Sequence, residues 1–276
     1  MDVLVIDTSY IAWRAFHSIR ELSHEDVPTG VTYGFFRELV TLQDRFATRA
    51  TAFAFDSKHS LRTKLCPTYK ENRKKKEYTK EEMKRYMAMQ EQLKSLRLDY
   101  LPSVGYNNVL FQRGYEADDL IASFCMNEQK RSKFDRIIIV SADKDLYQLL
   151  SKKVRMFNPH KKELMGPSAF TKKYKIEPGL WPWVKALAGC PTDNVIGMRG
   201  VGEKTAISRL TNARIWKKGD FDKQDATIKQ NLPLVKLPFK GTNDFAYKPD
   251  NINPKKFQKL FNSLGFKLST FASLYE

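Results

Sequence analysis

The run Val3-Leu4-Val5-Ile6-Asp7 places four aliphatic residues in succession and ends on an aspartate. Two later runs, at residues 51–55 and 137–140, are equally short and are also rich in β-branched or aromatic residues. Asp56 directly follows the first of these runs, and Asp143 lies shortly after the second. Short runs of this kind predict strands that are buried on both faces, as in the parallel sheet of an α/β domain.

Helical patterns lie between the predicted strands, at residues 31–46 and 118–126, where apolar residues recur at helical spacing. The alternation predicts an α/β fold with a central, mostly parallel sheet flanked by helices. Ligands of such open sheets gather at the carboxyl ends of the strands. We therefore expect Asp7, Asp56 and Asp143 to lie close together at one edge of the sheet.

The chain is strongly basic. Lys and Arg outnumber Asp and Glu by 48 to 31 among 276 residues, which gives a net charge of +17. This balance favours a nucleic acid as partner, through counterion release and long-range attraction. A basic protein with only non-specific affinity for polyanions is the alternative.

Several classes of protein are disfavoured. No run approaches the roughly 18 apolar residues of a membrane span, and the acids around the N-terminal run do not fit a signal-peptide core. The cysteines Cys66, Cys125 and Cys190 are widely spaced and form no CxxC pair, so neither a zinc site nor a disulfide framework is indicated. We expect a monomeric, cytoplasmic protein that has no contact with a membrane.

Acidic residues stand out against this basic background. Taken alone, an aspartate after a strand is more often a turn former or a helix cap. Several of them converging on one sheet edge favour a metal site instead, and carboxylates without a His or Cys cluster indicate Mg²⁺ or Mn²⁺ rather than zinc. Two such ions about 3.5–4 Å apart commonly cleave phosphodiesters. The candidate ligands are Asp7, Asp56, Glu116, Asp118, Asp119, Asp143, Asp145 and Asp193.

Two of these clusters raise questions of geometry. Glu116, Asp118 and Asp119 begin a predicted helix, where the macrodipole favours acids but mutual repulsion calls for a metal ion. On a regular helix Glu116 and Asp119 share a face and Asp118 points away, so we expect two of the three to dominate metal contact. Asp143 and Asp145 would point to the same side of an extended segment and would clamp an ion together, although such a pair is often only a loop.

Residues 68–98 are crowded with Lys, Arg and Glu and carry Tyr69, Tyr78 and Tyr86. This composition fits a solvated surface helix with charge pairs four residues apart. It equally fits a basic gate, studded with aromatic residues, over the acidic site. The residues alone leave both interpretations open.

Three closely spaced glycines precede a predicted helix at residues 203–210. Closely spaced glycines let backbone amides approach a phosphate at a helix N-terminus. A nucleotide-binding P-loop is disfavoured because its two required glycines would fall on Met198 and Glu203. A contact with the backbone of duplex DNA is favoured, with a plain turn as the alternative. The residues expected to make that contact are Gly197, Gly200, Gly202, Lys204 and Thr205.

Taken in order, the motifs resemble the 5′ nuclease superfamily of flap endonucleases and 5′→3′ exonucleases, most closely its bacteriophage and bacterial polymerase-associated branch. The resemblance runs from Met1 to about Leu210, and the ordered set is specific although each motif is weak alone. The motifs are Ile6-Asp7-Thr8-Ser9, Phe55-Asp56, Tyr69-Lys70-x-x-Arg73, Glu116-Ala117-Asp118-Asp119, Asp143-x-Asp145 and Pro191-Thr192-Asp193-Asn194.

The resemblance implies a PIN-like 5′ nuclease fold. An α/β nuclease domain would span residues 1–180, with a helical arch at residues 68–100. A helical DNA-binding region would span residues 181–276, with a helix–two-turn–helix motif at residues 186–210. The implied activity is two-metal hydrolysis of 5′ flaps, nicked or gapped duplexes and 5′ ends of DNA, or of RNA primers in hybrids, in replication or repair beside a polymerase.

The same resemblance implies a role for each site residue. Lys70 and Arg73 would steer the scissile phosphate, and Tyr69 would stack on a base near the cleavage point. The glycine motif would grip the duplex, often with a monovalent cation such as K⁺ on its backbone carbonyls. A first metal would be served by Asp7, Asp56, Glu116, Asp118 and Asp119, some through water, and a second by Asp143, Asp145 and Asp193.

One position departs from the family pattern. The family usually has Gly-Asp-x-x-Asp-Asn, whereas this chain has Gly189-Cys190-Pro191-Thr192-Asp193-Asn194. A thiol therefore replaces a carboxylate of the second metal site, and cysteine is a poor ligand for Mg²⁺. Activity could be retained with a changed metal dependence, or weakened. The chain could also be a structure-specific DNA-binding protein that cuts poorly; we favour retained activity because the other acids are present.

Overall fold

The computed structural model describes residues 1–19, 22–75, 78–211 and 220–274. Its strands are β1 (Asp2–Asp7), β2 (Ser23–His24), β3 (Val27–Pro28), β4 (Thr51–Ala54), β5 (Val109–Leu110), β6 (Arg136–Val140), β7 (Val154–Asn158), β8 (Glu163–Met165), β9 (Gly189–Cys190) and β10 (Val195–Ile196). Six of them form one sheet in the order β5-β4-β1-β6-β7-β8, and β2–β3 and β9–β10 are separate hairpins.

The three predicted strands are confirmed and lie side by side at the centre of the sheet. Leu4 of β1 pairs with Thr51 of β4 on one side and with Ile138 of β6 on the other, and both pairings are parallel. Strand β5 continues the parallel arrangement beside β4, and only β8 runs antiparallel to its neighbour β7. The sequence did not predict the edge strand β5, which has two residues, or the last two strands of the sheet, β7 and β8.

Helices cover both faces of the sheet. They are α1 (Thr8–Ser18), α2 (Gly30–Arg45), α3 (Lys80–Ser95), α4 (Leu101–Val104), α5 (Ala117–Arg131), α6 (Pro167–Tyr174), α7 (Trp181–Ala188), α8 (Glu203–Thr211), α9 (Asp220–Val235) and α10 (Pro254–Ser263). Short 3-10 turns connect several of them, including Lys144–Leu149 and Pro191–Asp193. Within the described ranges, no helix is long and apolar enough to cross a bilayer.

Each face of the sheet has its own core because side chains alternate along a strand. Val3 and Val5 pack with α5 and with Trp181 of α7. Leu4 and Ile6 pack on the opposite face, with Phe36 of α2. A strand that is apolar at every position fits only between two covered faces, which is why its sequence lacks the alternation of a surface strand.

The predicted arch region contains helix α3. Thr79 caps it, accepting from the N–H of Glu82, whose side chain accepts from the N–H of Thr79. Most of α3 is exposed, but Met89 is fully buried against α1 and Tyr86 packs on Trp13. Residues 76 and 77 of the predicted arch lie outside the described residues.

The C-terminal part of the chain returns to the first domain, so a division at residue 180 does not describe it. Phe257 and Phe261 of α10 are fully buried against Phe36, in the core of the sheet. Asn108 Nδ2 donates to the backbone oxygen of Lys248 at 2.7 Å. Helix α9, with 16 residues, is the longest helix of this C-terminal part among the described residues.

Candidate metal centre and nucleic-acid interface

Four carboxylates from separate elements meet at the carboxyl edge of the sheet, and we call them the carboxylate group. Asp7 ends β1, Asp56 follows β4, Asp118 lies in the first turn of α5, and Asp143 follows β6. Burial and the charge of Asp56 raise the pKa of Asp7 to about 7. Burial, and then the charges of Asp143, Asp7 and Asp56, raise the pKa of Asp118 well above its usual value. These mutual effects show that the four carboxylates are close neighbours.

Local hydrogen bonds orient the group. Asp7 caps α1 by accepting from the N–H of Tyr10 at 3.0 Å, and its other oxygen accepts from the hydroxyl of Ser141 at 2.9 Å. Asp56 accepts from the N–H of Ala117 at 2.9 Å, which ties it to the start of α5. The turn-former role that is common for such aspartates is therefore present here, but a carboxylate oxygen that accepts one hydrogen bond keeps a second lone pair for an ion.

In the part of the chain that the structure describes, no cation pairs with this group. Among the described residues, none of the four carboxylates forms an ion pair, whereas Glu116, Asp119, Asp145 and Asp193 all do. Four close carboxylates without a counter-charge are a costly arrangement that a hard divalent cation relieves. The donor set therefore fits Mg²⁺ or Mn²⁺, and the exposed side chains of Asp56 and Asp143 leave it open to solvent.

A second set, which we call the thiol–carboxylate group, lies beside the first. It consists of Asp145, Cys190 and Asp193, whose ligand atoms all lie within 4.8 Å of one another. No other set of three or more in the described part of the chain is so compact, so the carboxylate group is spaced more widely. The four acids of the carboxylate group could share one ion only after side-chain rotation or through bridging water.

The expected clamp by Asp143 and Asp145 is wrong. Asp143 accepts from the N–H of Asp145 at 2.8 Å and caps the 3-10 turn Lys144–Leu149. The segment is therefore coiled where it was expected to be extended. Asp143 joins the carboxylate group, and Asp145 joins the thiol–carboxylate group.

Protein cations already neutralise the thiol–carboxylate group. Lys185 Nζ lies 3.1 Å from Asp145 Oδ1. Arg73 contacts Asp193 Oδ1 at 2.6 Å, and Lys70 Nζ lies 3.9 Å from the same oxygen. Burial and the charge of Asp193 raise the pKa of the Cys190 thiol, which keeps it neutral near pH 7. This donor set does not fit a second Mg²⁺, because its charge is balanced and one donor is a thiol.

Glu116 lies between the two groups. Lys70 Nζ contacts Glu116 Oε2 at 2.8 Å, and Arg62 lies 3.6 Å from the same oxygen. Burial alone would raise the pKa of Glu116, but these two cations outweigh it and lower the pKa. Glu116 is therefore held as a carboxylate that orients Lys70.

Tyr69 does not have the predicted geometry for stacking. Its side chain is buried, with 5% exposure, and its hydroxyl donates to Glu116 Oε2 at 3.1 Å. The ring has no face open to a DNA base. Tyr69 positions Glu116 instead.

Asp119 is the clearest correction. Both of its oxygens bind the guanidinium of Arg62 at 2.7 Å, and Oδ1 also accepts from the N–H of Phe239 at 2.8 Å. Its side chain is fully buried, and its Oδ2 also accepts from the N–H of Glu116 at 3.1 Å. Asp119 is therefore part of a structural ion pair, and Asp118 is the acid of this helix that interacts with the carboxylate group.

Sequence reasoning missed two cations that shape the site. Arg62 lies in a charged stretch, Leu61-Arg62-Thr63-Lys64, that looks like ordinary surface. Lys185 interrupts the otherwise apolar helix α7 beside Val184 and Ala186, and a lone lysine in such a helix was a signal that could have been used.

The glycine region connects two helices through two tight turns. Helix α7 ends at Ala188, the β9–β10 hairpin follows, and α8 begins at Glu203. A Cβ atom on Gly197 would lie 2.3 Å from the backbone carbon of Ala188, so only glycine fits there. Gly200, with φ of 76°, and Gly202 have open space around them. Their backbone is accessible to a ligand.

The side chains of Lys204 and Thr205 are exposed in the first turn of α8, next to these glycines. The N-terminus of a helix offers unpaired N–H groups that favour anions. Gly200, Gly202, Lys204 and Thr205 are thus exposed together around the start of α8, whereas Gly197 packs against Ala188.

Comparison with known proteins identifies the family of this chain. Residues 2–175 match the family model of the 5′-3′ exonuclease N-terminal resolvase-like domain. The chain is 33% identical over 210 residues to the thermostable DNA polymerase I of Thermus thermophilus, covering 75% of this chain and 24% of that protein. It is also 33% identical over 207 residues to the 5′-3′ exonuclease of Aquifex aeolicus, covering 75% of this chain and 68% of that protein.

Solved structures share the fold. The T5 5′-exonuclease with bound zinc superimposes with a TM-score of 0.69 at 22% identity, covering 86% of this chain and 90% of that one. The catalytic core of Rad2 in complex with DNA superimposes with a TM-score of 0.56 at 14% identity, covering 99% of this chain and 90% of that one. The chain therefore spans only about a quarter of the length of the polymerase I relatives. On the family match and the Aquifex relative, this chain belongs to the 5′-3′ exonuclease family.

Proposed function

We propose that this chain is a divalent-metal-dependent 5′ nuclease that hydrolyses phosphodiesters at 5′ ends and 5′ flaps of DNA. The observation that carries the proposal is the carboxylate group, in which four acids from four elements meet without an ion-pair partner among the described residues, in a chain of net charge +17. A protein that only bound DNA would gain nothing from holding four unpaired carboxylates against a polyanion.

Asp7, Asp56, Asp118 and Asp143 would hold the ion. A divalent ion supplies Lewis-acid stabilisation of the negative charge that develops on the phosphate during hydrolysis. Asp7 keeps its orientation through the bonds to Tyr10 and Ser141. We do not propose a second Mg²⁺, because the thiol–carboxylate group does not fit one.

Lys70 and Arg73 lie on the side of the site next to the predicted arch. Lys70 is a quarter exposed and is fixed by Glu116, and Arg73 is mostly exposed on Asp193. Burial opposes the charge on Lys70, but Glu116 and Asp193 outweigh it and raise the pKa of Lys70, so the ammonium persists at working pH. Both cations can contact a phosphate oxygen without leaving the site.

Lys70→Ala is expected to slow the single-turnover cleavage rate by about 10²-fold while leaving the Kd for DNA within about threefold. The reason is that Lys70 contacts the reacting phosphate, whereas most of the affinity comes from distant phosphate contacts. Rapid-quench kinetics and a binding titration measure the two effects. Lys84→Ala, an exposed lysine of α3, is the matched control. An unchanged rate in Lys70→Ala would remove this residue from the chemistry.

The surface around the start of α8 would bind the duplex behind the cleavage point. Lys204→Ala is expected to weaken binding to duplex-containing substrates several-fold and to reduce the salt slope of log K by about one, with no effect on single strands. Affinity measured at several salt concentrations gives the slope. Equal loss on duplex and single strand would place Lys204 outside a duplex-specific contact.

The relatives suggest the biological setting. Several are DNA polymerases I, so we propose that this nuclease works beside a polymerase during replication or repair. We also propose that it acts as a monomer and that a monovalent cation such as K⁺ binds in the glycine region. RNA primers in RNA–DNA hybrids are a second proposed substrate.

The weakened-catalysis alternative is not favoured. It rested on Cys190, which belongs to the thiol–carboxylate group, whereas the carboxylate group is intact. The test of the proposed function is a substrate panel with Mg²⁺, containing a 5′ flap, a 3′ flap, a 5′-ended duplex and an RNA of the same shape as the 5′ flap. We expect cleavage of the substrates with a DNA 5′ end. Cleavage confined to RNA would indicate a PIN-like ribonuclease instead.

A further inference from the structure

We propose that Gln92 is a positioning residue for the cleavage of 5′ flaps, because its side chain, which belongs to α3, serves as the N-terminal cap of α2. The bond between the two helices fixes α3, the helix of the predicted arch, against α2. Since 5′ flaps are substrates in the proposed function, on which this inference rests, the orientation of α3 bears on the reaction. Gln92 acts through that orientation and does not contact the reacting phosphate.

The N-terminus of α2 has no cap from its own sequence. Thr29 occupies the N-cap position and is a suitable residue, but its hydroxyl makes no capping bond and its backbone has φ −123° and ψ 0°. Thr79, which does cap α3, has the extended backbone of a capping residue, with ψ 163°. The Thr29 side chain is buried, and its hydroxyl has no hydrogen-bond partner in the described part of the chain. The first turn of α2 therefore needs an acceptor from elsewhere.

Gln92 supplies that acceptor from another helix. Its Oε1 accepts from the N–H of Thr32 at 3.0 Å and from the hydroxyl of Thr32 at 3.3 Å. Thr32 is the third residue of α2, and the N–H at this position is one that an N-cap side chain normally serves. Gln92 Nε2 donates to the backbone oxygen of Ala88, one turn earlier in α3, at 3.3 Å. Both ends of the amide are bonded, which keeps its oxygen directed at α2.

Other contacts hold α3 only weakly. In α3, every residue of which is described, Met89 is the one buried side chain. A cavity of about 130 Å³ lies between α2 and α3, and its lining includes Thr29, Thr32 and Gln92. Packing between the two helices is therefore incomplete beside Gln92, so its bonds to Thr32 carry much of the attachment there.

Gln92 also lies close to an irregular point of the helix. Residues Leu96–Tyr100 continue α3 as a π-helical turn. Such turns are wider than the α-helix and interrupt its regular hydrogen bonding. The cap is one turn before this irregularity, where a fixed contact has the greatest effect on the direction of the rest of α3.

The direction of α3 matters because the helix lies beside the metal centre. Asp7 of the carboxylate group caps α1, and Tyr86 of α3 packs on Trp13 of α1. Lys70 contacts Glu116 at the start of α5, on the opposite face of the sheet. An unpaired strand that enters between these faces is bounded by α3 on one side. A fixed α3 limits the paths of that strand and holds it ready for cleavage.

The test compares Gln92→Met, which keeps the length of the side chain and removes the acceptor, with the matched control Gln90→Met on the exposed side of α3. We expect Gln92→Met to lower the single-turnover cleavage rate on a 5′ flap about tenfold, and to leave the rate at the 5′ end of a duplex without a flap within about twofold. Hydrogen–deuterium exchange of the first turn of α2 should become faster in Gln92→Met and stay unchanged in Gln90→Met.

Two further variants separate the cap from a general loss of structure. Gln92→Glu keeps a side-chain oxygen, and a negative charge is favourable at a helix N-terminus, so it should retain slow exchange and a flap rate within about twofold of the native rate. Thr29→Val removes the unpaired buried hydroxyl, so it should raise the urea midpoint and leave cleavage unchanged. A lower midpoint in Thr29→Val would assign the cap to Thr29 instead.

An unchanged flap rate in Gln92→Met would overturn the proposal, as would an equal loss on the flap and on the duplex without a flap. A flap rate in Gln92→Glu as low as that of Gln92→Met would also overturn it, because the acceptor would then not be the feature that matters. The exchange measurement does not depend on cleavage. A native chain that cuts no flap therefore contradicts the proposed function, whereas unchanged exchange in Gln92→Met contradicts the cap.

Discussion

Asp118→Asn is expected to lower the single-turnover cleavage rate by about 10³-fold or more, because a catalytic metal supplies several kcal/mol of transition-state stabilisation. The same variant should raise the urea midpoint for unfolding of the metal-free chain. Asp118 is surrounded by Asp143, Asp7 and Asp56, which raise its pKa, so its charge opposes folding when no ion is bound. An amide of the same shape removes that repulsion.

Rapid-quench cleavage and urea unfolding of the metal-free protein measure the two effects. The Kd for DNA should stay the same or fall, since a negative charge near the phosphate is lost. Full cleavage by Asp118→Asn would exclude this residue from the metal centre. Loss of activity together with a loss of stability would show that Asp118 has a structural role instead.

Asp119→Asn, at the neighbouring position, is expected to have the opposite effect on stability. Arg62 is 2% exposed and has both of its terminal nitrogens on Asp119. Breaking a buried ion pair by removing one charge costs about 3–5 kcal/mol. We expect the lower end, about 3 kcal/mol, because the amide oxygen can still accept from Phe239.

Urea unfolding measures this change, and cleavage under conditions where the variant is folded separates it from a catalytic effect. The folded fraction of Asp119→Asn should keep most of the native rate. A variant that is as stable as the native chain but inactive would restore Asp119 to the metal site. The contrast between two adjacent aspartates with the same substitution makes each the control of the other.

The metal centre could be predicted where it follows from sheet geometry. Asp7, Asp56 and Asp143 come just after strands that the sequence identifies, and parallel strands bring their carboxyl ends together. The prediction that Glu116 and Asp119 share a helical face was wrong, because Glu116 is the N-cap of α5 and has an extended backbone with φ −93° and ψ 157°. Helical angles therefore begin only at Ala117, and a regular helical projection from Glu116 gives the wrong face.

Other features depend on contacts between distant parts of the chain. Arg62 is buried only because α5 and the C-terminal segment cover it, and its partner Leu234, whose backbone oxygen accepts from Arg62 Nε, lies 172 residues away. The burial of Tyr69 likewise requires Glu116 and the residues around Cys190. No local pattern of charge or hydrophobicity records such contacts, so the burial of Arg62 and Tyr69 could not be predicted from the sequence.

The central claim is tested most directly by single-turnover cleavage of a 5′-labelled 5′-flap duplex by the native chain, with Mg²⁺ and with a chelator. The proposed function predicts release of a short 5′ product with Mg²⁺ and none with the chelator, at unchanged DNA affinity. Tight binding of the flap without any product, in Mg²⁺ and in Mn²⁺, would contradict it and would identify the chain as a DNA-binding protein.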